Sequence, residues 1–199
     1  MRTLLVSASP RPKGNSDTLM AEIAKGLEAH SIDTKMVYLR DYSIHPCIGC
    51  EQCRRDKTCT RFYDGMHLLY PEIEECQGLV TISPTYNYNI TPYMKAFIDR
   101  MYPFFNFTNP RPGSYSCRLA SKYRAMVTVG VCEQKEASEL GVTLPAMTEA
   151  FKVMGYELVA ELAITRHFSL GSVKKDPEAL SRAYEAGEKL AAALTSGNK

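Results

Sequence analysis

The 199-residue chain carries 24 basic against 22 acidic side chains, with 45% apolar and 23% charged residues. That balance describes a globular domain and excludes a disordered polymer, while a net charge of +2 is too small to drive binding to nucleic acid or to an anionic membrane. No run of 18 apolar residues occurs, and residues 1–7 read as a strand rather than a leader peptide, so neither a membrane span nor export is expected and a cytoplasmic location is.

The first apolar run, residues 4–8, predicts a strand that stops at a proline- and glycine-containing loop. Over residues 15–29, Leu19, Ile23 and Leu27 recur at every fourth position with Met20 and Ala24 beside them, the pattern of a helix packed by one face. Residues 35–39 read as a second strand and 66–76 as a second helix. Residues 78–83 (GLVTIS) are almost continuously apolar, as a central parallel strand covered on both faces requires. A helix follows over 91–101, with Pro92 suited to its first turn. A fourth strand (123–131), a helix (144–154) and a fifth strand (157–164) come next. Asp176, Pro177 and Glu178 then carry the start signal of a last helix.

Alternation of this kind specifies an α/β fold, a doubly wound five-stranded parallel sheet with helices on both faces, in one domain over residues 1–199. The flavodoxin-like order 2-1-3-4-5 is expected at this length. Ligands of such sheets bind beyond the carboxyl ends of the strands, which directs attention to loops 9–16, 40–64, 84–90 and 130–138.

In the first loop, Ser9, Arg11, Lys13, Asn15 and Ser16 bring hydroxyls, cations and an amide to the positive end of a helix, a setting for a phosphate dianion. A plain helix cap is the alternative. Asp17, in the first turn, would repel a phosphate unless its charge is turned away. Neither GxGxxG nor GxxxxGK[ST] occurs, which disfavours a Rossmann dinucleotide site and a P-loop. After the third strand, Pro84, Thr85, Tyr86, Asn87, Tyr88 and Asn89 combine aromatic faces with amides and hydroxyls. That mixture suits a planar heterocycle with polar edges.

Together with residues 95–100 (KAFIDR), these segments resemble the NAD(P)H-dependent FMN reductase family of flavodoxin-like proteins. The resemblance rests on SxRxxxNS at Ser9, Arg11, Asn15 and Ser16, on SPTYNYNITPYMKAFIDR over 83–100, and on the five-strand layout. It implies FMN as cofactor, with the phosphate on Ser9, Arg11, Asn15 and Ser16. The isoalloxazine would then lie against Pro84, Thr85, Tyr86, Asn87, Tyr88 and Asn89, with a third contact from Gly130, Val131 and Cys132. It further implies an oxidoreductase supplied by NAD(P)H or ferredoxin and serving a small-molecule or quinone-like acceptor. In such enzymes the chemistry resides at flavin N5 and no side chain need act as acid or base. Asp99 and Arg100 are expected to be structural.

Four of the seven cysteines, Cys47, Cys50, Cys53 and Cys59, fall within thirteen residues as C-x2-C-x2-C-x5-C. A reducing compartment disfavours structural disulfides, so the set reads as metal-binding or redox-active. Thiolates at three-residue intervals, with Gly49 easing the turn, can converge on a cuboidal iron–sulfur cluster that the fourth closes. A reversible disulfide, or a zinc site with His45 and His67 nearby, stays open from the spacing alone. The motif resembles that of the iron–sulfur flavoproteins, which implies a [4Fe–4S] cluster beside FMN. Between the third helix and fourth strand, Phe104, Phe105, Phe107 and Tyr115 fall in an irregular, proline-rich loop over 103–122 that also holds Cys117; it is expected to pack on a second copy, as a homodimer or homotetramer, a loop packed on itself being the alternative. The competing functions are a cluster-free NAD(P)H-dependent FMN or quinone reductase and a non-enzymatic redox- or metal-sensing flavoprotein. A hydrolase is disfavoured because no GxSxG is present.

Overall fold

The computed structural model describes residues 1–197. The chain runs β1 (Arg2–Ser7), α1 (Asn15–Glu28), β2 (Asp33–Tyr38), α2 (Gln52–Asp56), α3 (Met66–Glu75), β3 (Gly78–Pro84) and α4 (Pro92–Asp99). It continues with β4 (Phe105–Phe107), β5 (Tyr115–Cys117), β6 (Arg124–Val131), α5 (Thr143–Lys152), β7 (Tyr156–Ile164) and α6 (Pro177–Gly197). Five strands pair in parallel in the order β2-β1-β3-β6-β7, which is the 2-1-3-4-5 order expected from the sequence.

The position of each strand follows from its side chains. All eight residues of β6 and the first six of β3 are buried, because helices cover both faces of the sheet centre. β2, with Asp33 and Lys35, takes the edge and leaves only Val37 fully buried. One face is covered by α1 and α6 through Leu19, Met20, Ile23, Leu27, Leu190 and Leu194. The other is covered by α3, α4 and α5 through Leu69, Ile73, Met94, Phe97, Met147 and Phe151. Burying each such side chain contributes roughly 1.5–3 kcal/mol.

Two segments differ from the sequence expectation. Residues 103–122 are not irregular: β4 and β5 form an antiparallel ribbon that pairs Phe105 with Cys117 and Phe107 with Tyr115. Phe104 and Phe105 are buried, and Tyr102, Phe105, Phe107 and Tyr115 pack on one another. The aromatic surface assigned to a second copy is therefore largely buried within the chain, with Tyr115 still exposed. Cys117, expected in a loop, ends β5 and is buried. Residues 40–64 contain the short helix α2 and are fastened at their far end by a buried ion pair between Asp64 and Arg100.

Candidate functional site

The first loop leaves β1 and enters α1 through Gly14, whose place as N-cap supplies no side-chain acceptor, so the first-turn N–H groups are not capped by it. Ser9 Oγ accepts from the Arg11 backbone N–H (3.2 Å) and shapes the turn. Asp17 is turned beneath this loop. It accepts from Ser7 Oγ (3.1 Å) and from Lys13 N (2.8 Å), and Arg40 grips both its carboxylate oxygens (3.0 and 2.8 Å). Arg40 also donates to the Ser9 carbonyl (3.2 Å). The carboxylate that threatened a phosphate is thus neutralised by a nearly buried partner, and the loop is braced from below.

A cleft of about 320 Å³ opens over this loop. Its walls include Ser9, Arg11, Asn15, Ser16, Pro84, Thr85, Tyr86, Asn87, Tyr88, Val131 and Cys132, which brings together segments far apart in sequence. The second loop is a tight turn in which Tyr86 and Asn89 exchange backbone hydrogen bonds (2.8 and 3.1 Å). Asn87 and Tyr88 between them both take positive φ, a conformation rare for a tyrosine. The turn is held from outside: Val142 N donates to the Tyr88 carbonyl (2.8 Å), and Gly141, at φ +56°, leaves no room for a side chain, since a Cβ there would lie 2.4 Å from that carbonyl.

Two expected residues are not on the cleft wall. Asn89 turns its side-chain oxygen to the Ile90 N–H (2.8 Å). Gly130 lies within β6 beneath Leu140, where a Cβ would come within 2.2 Å of Leu140 Cδ2. Its missing side chain lets residues 137–140 pack down, so its role is to shape the wall that Val131 and Cys132 form. Asn15 reaches the cleft, but its amide is occupied, donating to the Ser169 carbonyl (3.1 Å) and accepting from Val173 N (3.1 Å). These bonds tie α1 to the loop after β7.

That last loop escaped the sequence reading. From it, His167 and Phe168 line the cleft, together with Gln134 of the expected 130–138 loop and Glu139 just beyond it. Arg11 donates to the Phe168 carbonyl (3.0 Å) and its guanidinium lies 5.3 Å from the Phe168 ring. His167 is engaged on both ring nitrogens, by Ser172 Oγ (3.1 Å) and Asp176 Oδ2 (3.0 Å), and so serves as a brace between the loop and α6. The rule that selected the other loops, a position after the carboxyl end of a sheet strand, applies equally to residues 165–173 and would have found them.

The four clustered cysteines line a second cavity of about 170 Å³, which shares no wall residue with the cleft. Its walls also include Glu51, Arg61, Phe62, Tyr70, Asp99 and Arg100. Burial and the neighbouring thiols of Cys47, Cys59 and Cys50 push the Cys53 thiol up to about 11. His67 Nε2 meets the Cys59 carbonyl at 2.8 Å and anchors the last cysteine to α3. Among the described residues, no three His, Cys, Asp or Glu side chains converge closely enough to hold a single metal ion. Cys76 is buried at the end of α3, away from this cavity.

The chain is 25% identical over 198 residues to an iron–sulfur flavoprotein of Methanocaldococcus jannaschii, covering 96% of each chain. It is 28% identical to an iron–sulfur flavoprotein of Archaeoglobus fulgidus, covering 98% of this chain and 81% of that one. A solved flavodoxin from the domain Archaea superposes with a TM-score of 0.59 at 14% identity, over 98% of this chain and 99% of that one, and shares its fold. The family model for NADPH-dependent FMN reductases matches residues 1–153. The chain belongs to the NADPH-dependent FMN reductase family and is an FMN-dependent oxidoreductase.

Proposed function

We propose that the chain is an iron–sulfur flavoprotein that binds FMN in the cleft and a [4Fe–4S] cluster on Cys47, Cys50, Cys53 and Cys59. The observation that carries this is the gathering of all four cysteines on one cavity, apart from a cleft ringed by both flavin loops. The donor set suits the cluster. A single Zn2+ needs its four ligands within about 2.0–2.3 Å of one point, whereas a cuboidal cluster spreads its thiolates around a larger body. Four soft sulfur donors lining one cavity suit such a cluster. The unshared cap of α1, Arg11 and the Ser9 turn suit a phosphate, and Tyr86 and Tyr88 offer faces to a flat ring.

FMN exchanges electrons singly or in pairs, and an iron–sulfur cluster exchanges them singly. The chain's own residues bind and orient both groups. Because the cysteine cavity and the cleft share no wall, exchange between them is proposed to run across subunits in a homodimer or homotetramer, with NAD(P)H or ferredoxin as donor and a small-molecule or quinone-like acceptor. The residues over 1–197 serve this as one flavodoxin-like unit bearing the cysteine loop at 40–64.

Anaerobic reconstitution followed by iron and sulfide assay tests the reading. About four of each per chain are expected, falling sharply in Cys53→Ala. Stoichiometric zinc, or no metal with full flavin turnover, would leave a cluster-free FMN reductase. Sedimentation showing only monomer at micromolar concentration would remove the exchange across subunits.

A further inference from the structure

The β4–β5 ribbon, whose aromatic side chains were expected to meet a second copy, meets the cysteine loop instead. The helix α2 carries Cys53 and lies between Cys50 and Cys59. It has five residues, none of them buried, and isolated helices shorter than about 12 residues are marginal in water. Its flanking residues, Glu51 and Lys57, both take the left-handed backbone conformation, at φ +61° and +56°. That conformation is strained for a residue with a side chain and persists only where the surroundings enforce it.

The ribbon supplies the enforcement. Lys57 Nζ donates to Asn106 Oδ1 (2.6 Å) and to the Phe105 carbonyl (3.4 Å). Arg54 Nη2 donates to Asn109 Oδ1 (3.4 Å), and its guanidinium lies 5.0 Å from the Phe107 ring. Glu51 pairs with Arg111, and the Lys57 carbonyl accepts from Arg118 Nη2 (3.4 Å). Glu51, Arg54 and Lys57 recur at every third position, so one side of the segment is turned to the ribbon. Cys47, Cys50 and Cys53 recur at the same interval one position earlier and line the cavity. The ribbon is itself rooted by the buried Phe104 and Phe105, and Tyr102, stacked on Phe107 at 4.7 Å, lines the cavity too.

We propose that the ribbon is the positioning element of the cysteine site, gripping α2 through Arg54 and Lys57 so that the four thiols are gathered before any metal arrives. Its bearing on a cluster rests on the iron–sulfur reading above; the gathering of the thiols does not. A segment fixed in advance loses little conformational freedom when its ligand binds, so thiols held this way load faster than the same thiols on a free loop. Arg54 and Lys57 act through α2 and are positioning residues. Partly exposed contacts are modest singly, so the test removes them in pairs.

The test is alkylation of the reduced, metal-free full chain with iodoacetamide at fixed pH, each cysteine followed by peptide mass mapping. Cys53 and Cys59 are half-buried, whereas Cys47 and Cys50 are exposed. R54A/K57M removes the grip from the α2 side and N106A/N109A from the ribbon side. Both are expected to raise Cys53 alkylation about tenfold, the equivalent of one hydrogen bond to a charged group. Cys47, Cys50 and the buried Cys76 should keep wild-type rates, and FMN affinity should not change. K57R keeps a cationic donor and should stay near wild type. On anaerobic reconstitution both double variants should take up iron more slowly than wild type. A wild-type rate of Cys53 alkylation, or of iron uptake where the wild type loads, overturns the proposal. If one double variant fails to accumulate, the other decides by the same criterion. A wild-type chain that takes up no iron removes the iron–sulfur reading itself, and the alkylation rates still decide the positioning role.

Discussion

Replacing Arg11 by alanine tests whether loop 9–16 holds the phosphate of the proposed FMN. Arg11 stands exposed at the rim of the cleft, and one of its five N–H donors is held by the Phe168 carbonyl at 3.0 Å. The others are free to meet a phosphate without breaking that bond. A hydrogen bond to a charged group contributes about 1.5–3 kcal/mol, and exposure places Arg11 near the lower end. A loss of about 1.5–2 kcal/mol is roughly a 10- to 30-fold rise in Kd for FMN. Riboflavin lacks the phosphate, so its affinity should stay near wild type. Arg11→Lys should recover part of the loss, since it keeps the charge but not the planar fork. Titrating apoprotein into each flavin and following fluorescence quenching, at fixed ionic strength, measures all of these. Equal losses for FMN and riboflavin would refute the assignment of loop 9–16 to the phosphate.

Other outcomes follow from the supports beneath the site. Arg40→Met strips the counter-ion from Asp17, whose side chain is 10% exposed, and should cost about 3 kcal/mol in urea unfolding. Asp17→Asn combined with Arg40→Met should restore most of it, and no recovery would show that the pair is not what braces the loop. Gly141→Ala forces a Cβ toward the Tyr88 carbonyl at positive φ, so a loss of roughly 2–4 kcal/mol in thermal unfolding and weaker flavin binding are expected. A wild-type Tm would mean that the 84–90 turn does not depend on this contact. Burial opposes the charge of Asp64, but hydrogen bonds from Arg100 and from the His45 and Met66 N–H groups outweigh it and hold its carboxyl below the usual range. Its folded pKa being depressed, the stability it contributes is present above its unfolded value of about 3.9 and is lost as pH falls through the lower folded value. Asp64→Asn should therefore flatten the acid limb of a stability–pH curve, and an unchanged limb would count against the pair.

Local pattern carried most of the fold. The continuous apolar run of residues 78–83, the fourfold repeat of Leu19, Ile23 and Leu27, and the cap at Asp176 place β3, α1 and α6 within a few residues, because burial on one or both faces dictates composition directly. That the loops at 9–16 and 84–90 meet at one cleft was legible as well, since both follow the carboxyl ends of neighbouring strands. The spacing of Cys47, Cys50, Cys53 and Cys59 also marked a shared site.

What the sequence could not determine is which distant groups complete each site. The neutralisation of Asp17 by Arg40 joins α1 to the turn after β2, and the tethering of Asn15 by Val173 joins it to a loop some 150 residues onward. The seat of Tyr88 on Gly141 and the mounting of Arg100 on Asp64 are likewise contacts between separate elements. Residue type and spacing report what a segment does to its own neighbours along the chain. A charge acquires its partner, and a turn its support, only when the sheet order has set which loops share an edge, and so the chemistry of both cavities was decided by tertiary packing.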